Sequence, residues 1–410
     1  MKENCRTTML ACFIGYIVQA VVNNFTPLLF VNFQTVYGIP LAKITLLITI
    51  NFLIQLCVDL VSAWLLDRTG YRAGVVFAHV ASAAGLIMLT ILPELTGDPY
   101  IGILISVAFY AIGGGLLEVL ISPMIEACPT DNKESAMSLL HSFYCWGHVG
   151  VVLVSTAFFA VFGIQNWKIL SVIWALIPIL NGVFFMKVKV YELKETGDEG
   201  LSVRDLCKKK IFWVFMLMMI CSGASEQAVS QWASTFAEKG LGVSKAVGDL
   251  AGPMSFALTM GMSRLIFGKY GDKLDLDRFM KFSSALCVAS YLMISLSKSP
   301  VLGLIGCAVT GFAVGIMWPG TYSKSAVSIR GGGTAMFALL ALGGDLGCSS
   351  GPTLAGFVSS IAGGNLRAGI LSAVIFPALL LVGLFLCGRM ERKPAGDDMR
   401  VGNGQHSQPR

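Results

Sequence analysis

Apolar residues in this chain come in long runs rather than in alternation. Twelve runs lie near 8–32, 43–66, 73–94, 101–124, 135–162, 168–189, 210–237, 245–270, 278–297, 300–322, 333–361 and 367–389. A helix rises about 1.5 Å per residue, so about 20 apolar residues cross a hydrocarbon core about 30 Å thick. Each run is therefore read as a spanning helix. The first is too long for a signal peptide, is polar at Gln19, Asn23 and Asn24, and lacks a small-residue cleavage site. The longest internal loop, 190–209, is charged at Lys194, Glu195, Asp198, Glu199, Arg204, Asp205, Lys208 and Lys209. It divides the chain into an N-terminal bundle, 1–189, and a C-terminal bundle, 210–389, with six runs in each. The tail, 390–410, is polar and expected to be disordered. The predicted fold class is an all-α membrane protein with 12 transmembrane helices.

The two bundles read as repeats. The loop after the second run is Asp67-Arg68-Thr69-Gly70-Tyr71-Arg72, and the loop after the eighth is Gly268-Lys269-Tyr270-Gly271-Asp272-Lys273. Asp67 and Asp272 stand 205 residues apart, half the chain. The fourth and tenth runs end with Pro123 and Pro319. The fifth and eleventh open with Ala136-Met137 and Ala335-Met336. Together, in register, these matches predict two six-helix halves related by a pseudo-two-fold axis. Of 30 Lys and Arg residues, 23 fall in loops and tails on the side of the N-terminus if that terminus is cytoplasmic. Six fall on the other side (Lys43, Lys168, Lys239, Lys245, Lys298, Arg367) and one, Arg264, lies within a span. That bias predicts a multi-pass protein of the plasma membrane with both termini cytoplasmic.

Composition agrees. Hydrophobic residues make up 55% and charged residues 13%, against about 25% charged in soluble domains. Mean hydropathy is +0.72. The net charge of +6 belongs with cytoplasmic loops, so no nucleic-acid partner is expected. The eleven cysteines are scattered, with no CxxC pair and no Cys/His cluster at zinc spacing. No metal or other cofactor is expected. An ATP-driven pump is disfavoured, because the pair Gly268-Lys269 lacks the following Ser/Thr and the spaced upstream Gly of a P-loop. An intramembrane enzyme is disfavoured too: there is no HExxH, and spacing alone gives no Ser/His/Asp arrangement.

Twelve spans, a central cytoplasmic loop and an acidic-basic-Gly-basic turn after the second and eighth spans resemble the major facilitator superfamily. That family's loop signature is Gly-x-x-x-Asp-Arg/Lys-x-Gly-Arg/Lys-Arg/Lys. Here Ala63 stands at the first Gly, Asp67, Arg68, Gly70 and Arg72 are in place, and Tyr71 departs from it. The second half keeps Gly268, Asp272 and Lys273. The resemblance covers the whole chain. It implies transport by alternating access, with a substrate site near the bilayer midplane between the halves. The loop residues would then form a gating latch; the alternative is a tight turn with anchoring charges. A second resemblance, to the fucose-permease-like branch of sugar:proton symporters, rests on Leu140-His141, Phe143 and Gly147, then Gly223-x-x-Glu226 and Trp232. Many proton-driven members carry an Arg in the fourth span, where this chain has Phe109.

Five ionisable residues stand well inside spans: Asp59, Glu118, Glu226, Arg264 and Asp345. Charges there are costly and usually face a cavity or a partner. The seventh span carries Ser222, Glu226 and Ser230 on one face, with Gln227, Gln231 and Trp232 beside it. The first carries Gln19, Asn23 and Thr26, with Asn24 adjacent. These spans correspond in the repeat, so their stripes are expected to meet across a central cavity. Amides and carboxyls are the partners that sugar hydroxyls take. The candidate substrate residues are Gln19, Asn23, Asn24, His141, Glu226, Gln227, Gln231, Trp232 and Trp318; the alternative is interhelical hydrogen bonding. Glu118 and Glu226 are the candidate proton carriers, because burial disfavours a charged carboxyl; for each, a static bond is the alternative. Asp59 and Arg264 hold equivalent repeat positions and are expected to gate as a salt bridge. Otherwise Arg264 meets Asp345 or Glu226, or binds an anionic substrate. Span eleven, with Gly343-Gly344-Asp345, Gly347, Gly351, Pro352 and Gly356, reads as a close-packing or hinge helix.

The expected function is secondary active transport, most simply proton-coupled uptake of a small neutral solute such as a sugar. The alternative is an efflux or organic-anion carrier. The expected partners are that solute, protons and the lipid bilayer, and the protein is expected to be a monomer.

Overall fold

The computed structural model describes residues 2–129, 133–191, 201–270 and 274–392. The first half comprises α1 (Lys2–Asn24), α2 (Leu41–Thr69), α3 (Tyr71–Leu95), α4 (Pro99–Ala127), α5 (Lys133–Phe162) and α6 (Trp167–Lys187). The second comprises α7 (Lys210–Ser230), α8 (Ser255–Tyr270), α9 (Leu276–Leu296), α10 (Pro300–Val314), α11 (Gly333–Ile361) and α12 (Ile375–Arg392). Several begin or end in shorter turns of the same span. Thr26–Leu29 and Phe30–Val36 continue α1, Lys245–Asp249 precedes α8, Met317–Ser328 continues α10, and Leu366–Ser372 precedes α12. Twelve spans bring both termini to one end of the bundle.

Local chemistry sets these boundaries. Asp98 caps α4 by accepting from the Tyr100 backbone N–H at 2.9 Å, with Pro99 in the first turn. Asp275 caps α9 through the Arg278 N–H at 3.1 Å. The breaks in the first and tenth spans come from prolines, which cannot donate to the carbonyl four residues back. Pro27 so frees the carbonyl of Asn23, and Pro319 frees that of Gly315. Both freed oxygens are re-used: Asn23 O accepts from Gln231 Nε2 at 3.2 Å, and Gly315 O from Arg264 Nε at 3.4 Å. The break in the tenth span therefore falls a few residues before Pro319, between Val314 and Met317.

Among the described residues, eleven helices are long and apolar enough to cross a membrane. The remaining one of the twelve expected spans is α11, 29 residues long but rich in Gly and Ser and carrying Asp345. It packs mainly against α7 and α2, so it presents little surface to lipid and needs fewer apolar residues. Its glycines bring backbones together. A Cβ at Gly347 would stand 2.0 Å from the Ile220 carbonyl oxygen, and one at Gly351 2.3 Å from that of Ala224. The close-packing reading of this helix holds.

Candidate functional site

The polar stripes of α1 and α7 meet between the halves. Asn23 Oδ1 accepts from Gln55 Nε2 at 2.8 Å and from Asn51 Nδ2 at 3.4 Å, while its backbone oxygen takes Gln231. Gln231 also donates to Gln227 Oε1 at 3.1 Å, and Gln227 donates to Glu226 Oε1 at 3.3 Å. Asn24 donates to the Ala20 carbonyl at 2.9 Å and to Tyr144 Oη at 3.4 Å. A pocket of about 10 Å³, sized for one water, lies among Asn23, Thr26, Asn51, Tyr110 and Gln231.

The ionisable residues sort into three groups. Glu118 on α4 accepts from Gln19 Nε2 at 2.6 Å. Arg264 on α8 places Nη2 3.3 Å from Glu226 Oε2 and Nη1 3.4 Å from Cys145 Sγ on α5. Asp59 on α2 and Asp345 on α11 lie near each other across the halves. The expected Asp59–Arg264 bridge does not form in this conformation; Arg264 takes the alternative partner, Glu226. The reason is geometric. A pseudo-two-fold axis sets α2 beside α11 and, equivalently, α8 beside α5, so equivalent positions on α2 and α8 face different helices.

The other candidates are placed as follows. His141 is exposed and sits edge-on to Tyr16, with ring centroids 5.6 Å apart. Trp318 is half-buried beside Tyr322, at 6.3 Å. Trp232 is fully buried. Its indole N–H donates to the Pro352 carbonyl at 3.0 Å and its ring lies 5.8 Å from that of Phe30, so in this conformation it seals the halves together and shows no face to solvent. His79, inside the first half, bonds Val75 O within its own helix at 2.7 Å and ties α3 to α6 through Asn181 Nδ2 at 2.8 Å.

Several contributors escape a reading for charge. Tyr16, bonded to Ser122 at 2.8 Å, lies one turn before Gln19, and Tyr144 lies one turn after His141; helical spacing from the known candidates finds both. Lys245 and Asp249 escape it as an i, i+4 pair at the edge of a span. Asp249 is completely buried and accepts from Ser234 at 2.5 Å and from Thr156 of the other half at 3.4 Å. Lys245 lies 3.0 Å from Asp249 and donates to the Leu28 carbonyl of the other half at 2.7 Å. With Lys239 bonded to Gln34 at 2.6 Å, these contacts close the end of the bundle opposite the termini.

A family model described as Major Facilitator Superfamily matches residues 8–336. The chain belongs to the major facilitator superfamily. It is similar to the probable nitrate transporter NarT of Staphylococcus epidermidis, 24% identical over 306 residues, 71% of this chain and 74% of that protein. Among solved structures, a bacterial homolog of the human lysosomal transporter Spinster, inward-facing and unoccupied, matches with a TM-score of 0.76 at 15% identity, covering 96% of this chain and 100% of that one. The fucose:proton symporter FucP of E. coli matches with a TM-score of 0.64 at 16% identity, covering 92% and 98%. The fold is thus the 12-helix major facilitator fold, and the protein is a transporter rather than an enzyme.

The superfamily's loop signature is partly visible. Gly70 adopts φ +75°, a left-handed conformation that a side chain would strain. Arg72 does not reach the other half. Its guanidinium donates to the carbonyls of Phe185, Met186 and Val188 at 2.8, 2.8 and 2.9 Å, the orphan acceptors at the end of α6. Arg72→Ala should therefore lower stability by about 1 kcal/mol, the group being exposed, measured as thermal unfolding in detergent. The side chains of Asp67 and Arg68, the surroundings of Gly268, and residues Asp272 and Lys273 entirely, lie outside what the structure describes.

Proposed function

We propose that this transporter imports a small neutral polyhydroxylated solute, such as a sugar, together with protons. It works by alternating access between the bundles 1–189 and 210–389, with 190–209 as linker and 390–410 as a tail. The observation that carries this reading is the occupation of Arg264 by Glu226. The central region is left with amides, tyrosine hydroxyls and the carboxyls of Glu118, Asp59 and Asp345, a set that suits hydroxyls and protons better than an anion. Gln19, Asn23, Asn24, His141, Gln227, Gln231 and Trp318 would contact solute, and Glu118, held by Gln19, would carry the proton. Asp59, Asp345 and Arg264 would change partners as the halves move, together with the loop residues Asp67, Arg68, Gly70, Arg72, Gly268, Asp272 and Lys273. The excess of basic residues on the termini side supports cytoplasmic termini in a plasma membrane, and the end closed by Lys239, Lys245 and Asp249 is then the extracellular one.

Likeness to the fucose:proton symporter supports the neutral-solute reading. Likeness to the probable nitrate transporter supports a second one, an anion carrier with Arg264 as its ligand. Uptake into proteoliposomes separates them. A labelled sugar should accumulate under an inward proton gradient. Glu118→Gln should abolish that accumulation while exchange survives, since an amide keeps the bond geometry but cannot release a proton. Accumulation of nitrate or an organic acid, with no sugar taken up, would sink the proposal.

A further inference from the structure

α3 and α6 pack together in the first half, and a groove of about 350 Å³ runs between them. Small residues hollow it: Ala83 and Ala84 line it from α3 and Gly182 from α6. A Cβ at Gly182 would stand 3.1 Å from that of His79. The sides are Val76, Val80 and Ile87 on α3, with Ile179, Val183 and Met186 on α6. Val80, Ile179, Val183 and Met186 are exposed, so the groove opens on the outer surface of two membrane spans. His79 lines it too, without offering it a polar atom. A carbonyl only accepts, so Nδ1 carries the proton that binds Val75 O, and Nε2 accepts from Asn181 Nδ2. The wall is therefore apolar, and hydrocarbon fits it.

Depth and charge say which hydrocarbon. Val76 to Ile87 is about 16 Å of helix, the depth of one leaflet, which is about half of a 30 Å core. On both helices the lining stripe continues into a base at the termini-side end. Arg72 stands four residues before Val76, and Lys187 four after Val183. Both are exposed. The Arg72 guanidinium rests on the carbonyls of Phe185, Met186 and Val188, beside the backbone that carries Lys187. Those bonds take three of its five N–H groups. Among the described residues no carboxylate pairs with either base. The nearby helix ends carry about half a charge each, positive at the start of α3 and negative at the end of α6, and offset one another. Two full positive charges remain at the mouth of the groove.

We propose that this groove holds an anionic phospholipid of the leaflet on the termini side. One acyl chain lies between α3 and α6, and the phosphate sits against Arg72 and Lys187. Annular lipid covers any apolar face. Here a slot one leaflet deep ends at a pair of bases, and basic pockets between spans bind acidic headgroups. The site needs no solute and stands apart from the transport reading above.

The test is photo-crosslinking of the full-length protein in phosphatidylcholine nanodiscs. The probes are phosphatidylglycerol and phosphatidylcholine with the same diazirine-bearing acyl chain, and the labelled peptides are mapped. The phosphatidylglycerol probe should label 76–87 and 179–186 above the other lipid-facing segments, and the phosphatidylcholine probe should label them less. Lys187→Gln should lower that preference about fivefold, the worth of one basic residue at an anionic lipid surface. Ala84→Phe, which fills the groove, should abolish the labelling there by either probe. Excess glycerol phosphate should leave the labelling unchanged, because the chain seats the lipid; displacement by it would reduce the site to a phosphate patch and overturn the proposal. Equal labelling of all lipid-facing segments by both probes, the mark of annular lipid only, also overturns it, and that arm needs no variant. A preference unchanged in folded Lys187→Gln overturns the seat for the phosphate.

Discussion

Lys245→Met should open the end of the transporter that the structure shows closed. Lys245 Nζ lies within 3.1 Å of three acceptors: Leu28 O in the other half, Asp249 and Glu238. It also stands 5.8 Å from the ring of Phe159 in the other half. Methionine keeps the side-chain length and removes the charge. Breaking one member of a buried ion pair costs about 3–5 kcal/mol; Lys245 is one-fifth exposed, so the low end applies. Only part of that cost acts between the halves. A charge-assisted hydrogen bond such as that to Leu28 is worth about 1.5–3 kcal/mol, and about 1.4 kcal/mol is a factor of ten. The closed-to-open ratio at this end should fall by roughly 10- to 100-fold. Spin labels at the exposed positions Val36 and Val247, one in each half, would report it as a shift to longer distances in nanodiscs. Thr156→Val, which removes only the 3.4 Å bond to Asp249, should shift the ratio less than Lys245→Met does. An unchanged distance distribution in folded Lys245→Met would show that the latch does not hold this end.

The spans were legible because repeated apolar runs of membrane length would be insoluble in any fold that faces water on all sides. α11 was legible as a helix but not as a poorly lipid-exposed one, since that depends on α2 and α7 flanking it. The stripes of α1 and α7 were legible from spacing, and the bond from Gln231 to Asn23 joins them. Partners were not. Repeat equivalence suggested Asp59 with Arg264, whereas the symmetry places each against the fifth helix of the other half. Ala136-Met137 aligns with Ala335-Met336, an offset of 199 residues. On that offset Asp345 corresponds to within one residue of Cys145, so Asp59 near Asp345 and Arg264 beside Cys145 are the same juxtaposition in two chemistries. Repeat arithmetic applied to pairs of helices, rather than to single positions, would have found both. An aromatic beside a polar stripe can either line a cavity or plug the seam next to it, and in this conformation Phe30 and Pro352 make Trp232 a plug.

Glu226→Gln should cost this transporter most of its activity, and in a way that discriminates between solutes. Arg264 is held by three long contacts, at 3.3, 3.4 and 3.4 Å, of which only Glu226 carries a formal charge. With glutamine there, a guanidinium remains among neutral groups inside the bundle. Leaving one charge of a buried pair uncompensated costs about 3–5 kcal/mol. The distance is long for a charge-assisted bond, so about 3 kcal/mol is expected, or on the order of 100-fold in any step that needs this geometry. Arg264→Met should be as damaging, because it strands the carboxylate. Combining the two should restore thermal stability towards the parent, since neutral replacement of a whole buried pair is often harmless, but should not restore gradient-driven uptake. That non-additivity, read from melting of all four proteins, would establish the pair as a unit. The single variant also tests the choice of solute. If the solute is neutral, Glu226→Gln simply loses transport. If it is an anion, removing Glu226 frees Arg264 for it, and the apparent KM for that anion should fall. A lowered KM for nitrate or a carboxylate in Glu226→Gln would therefore decide for the anion carrier, whatever happened to the maximal rate.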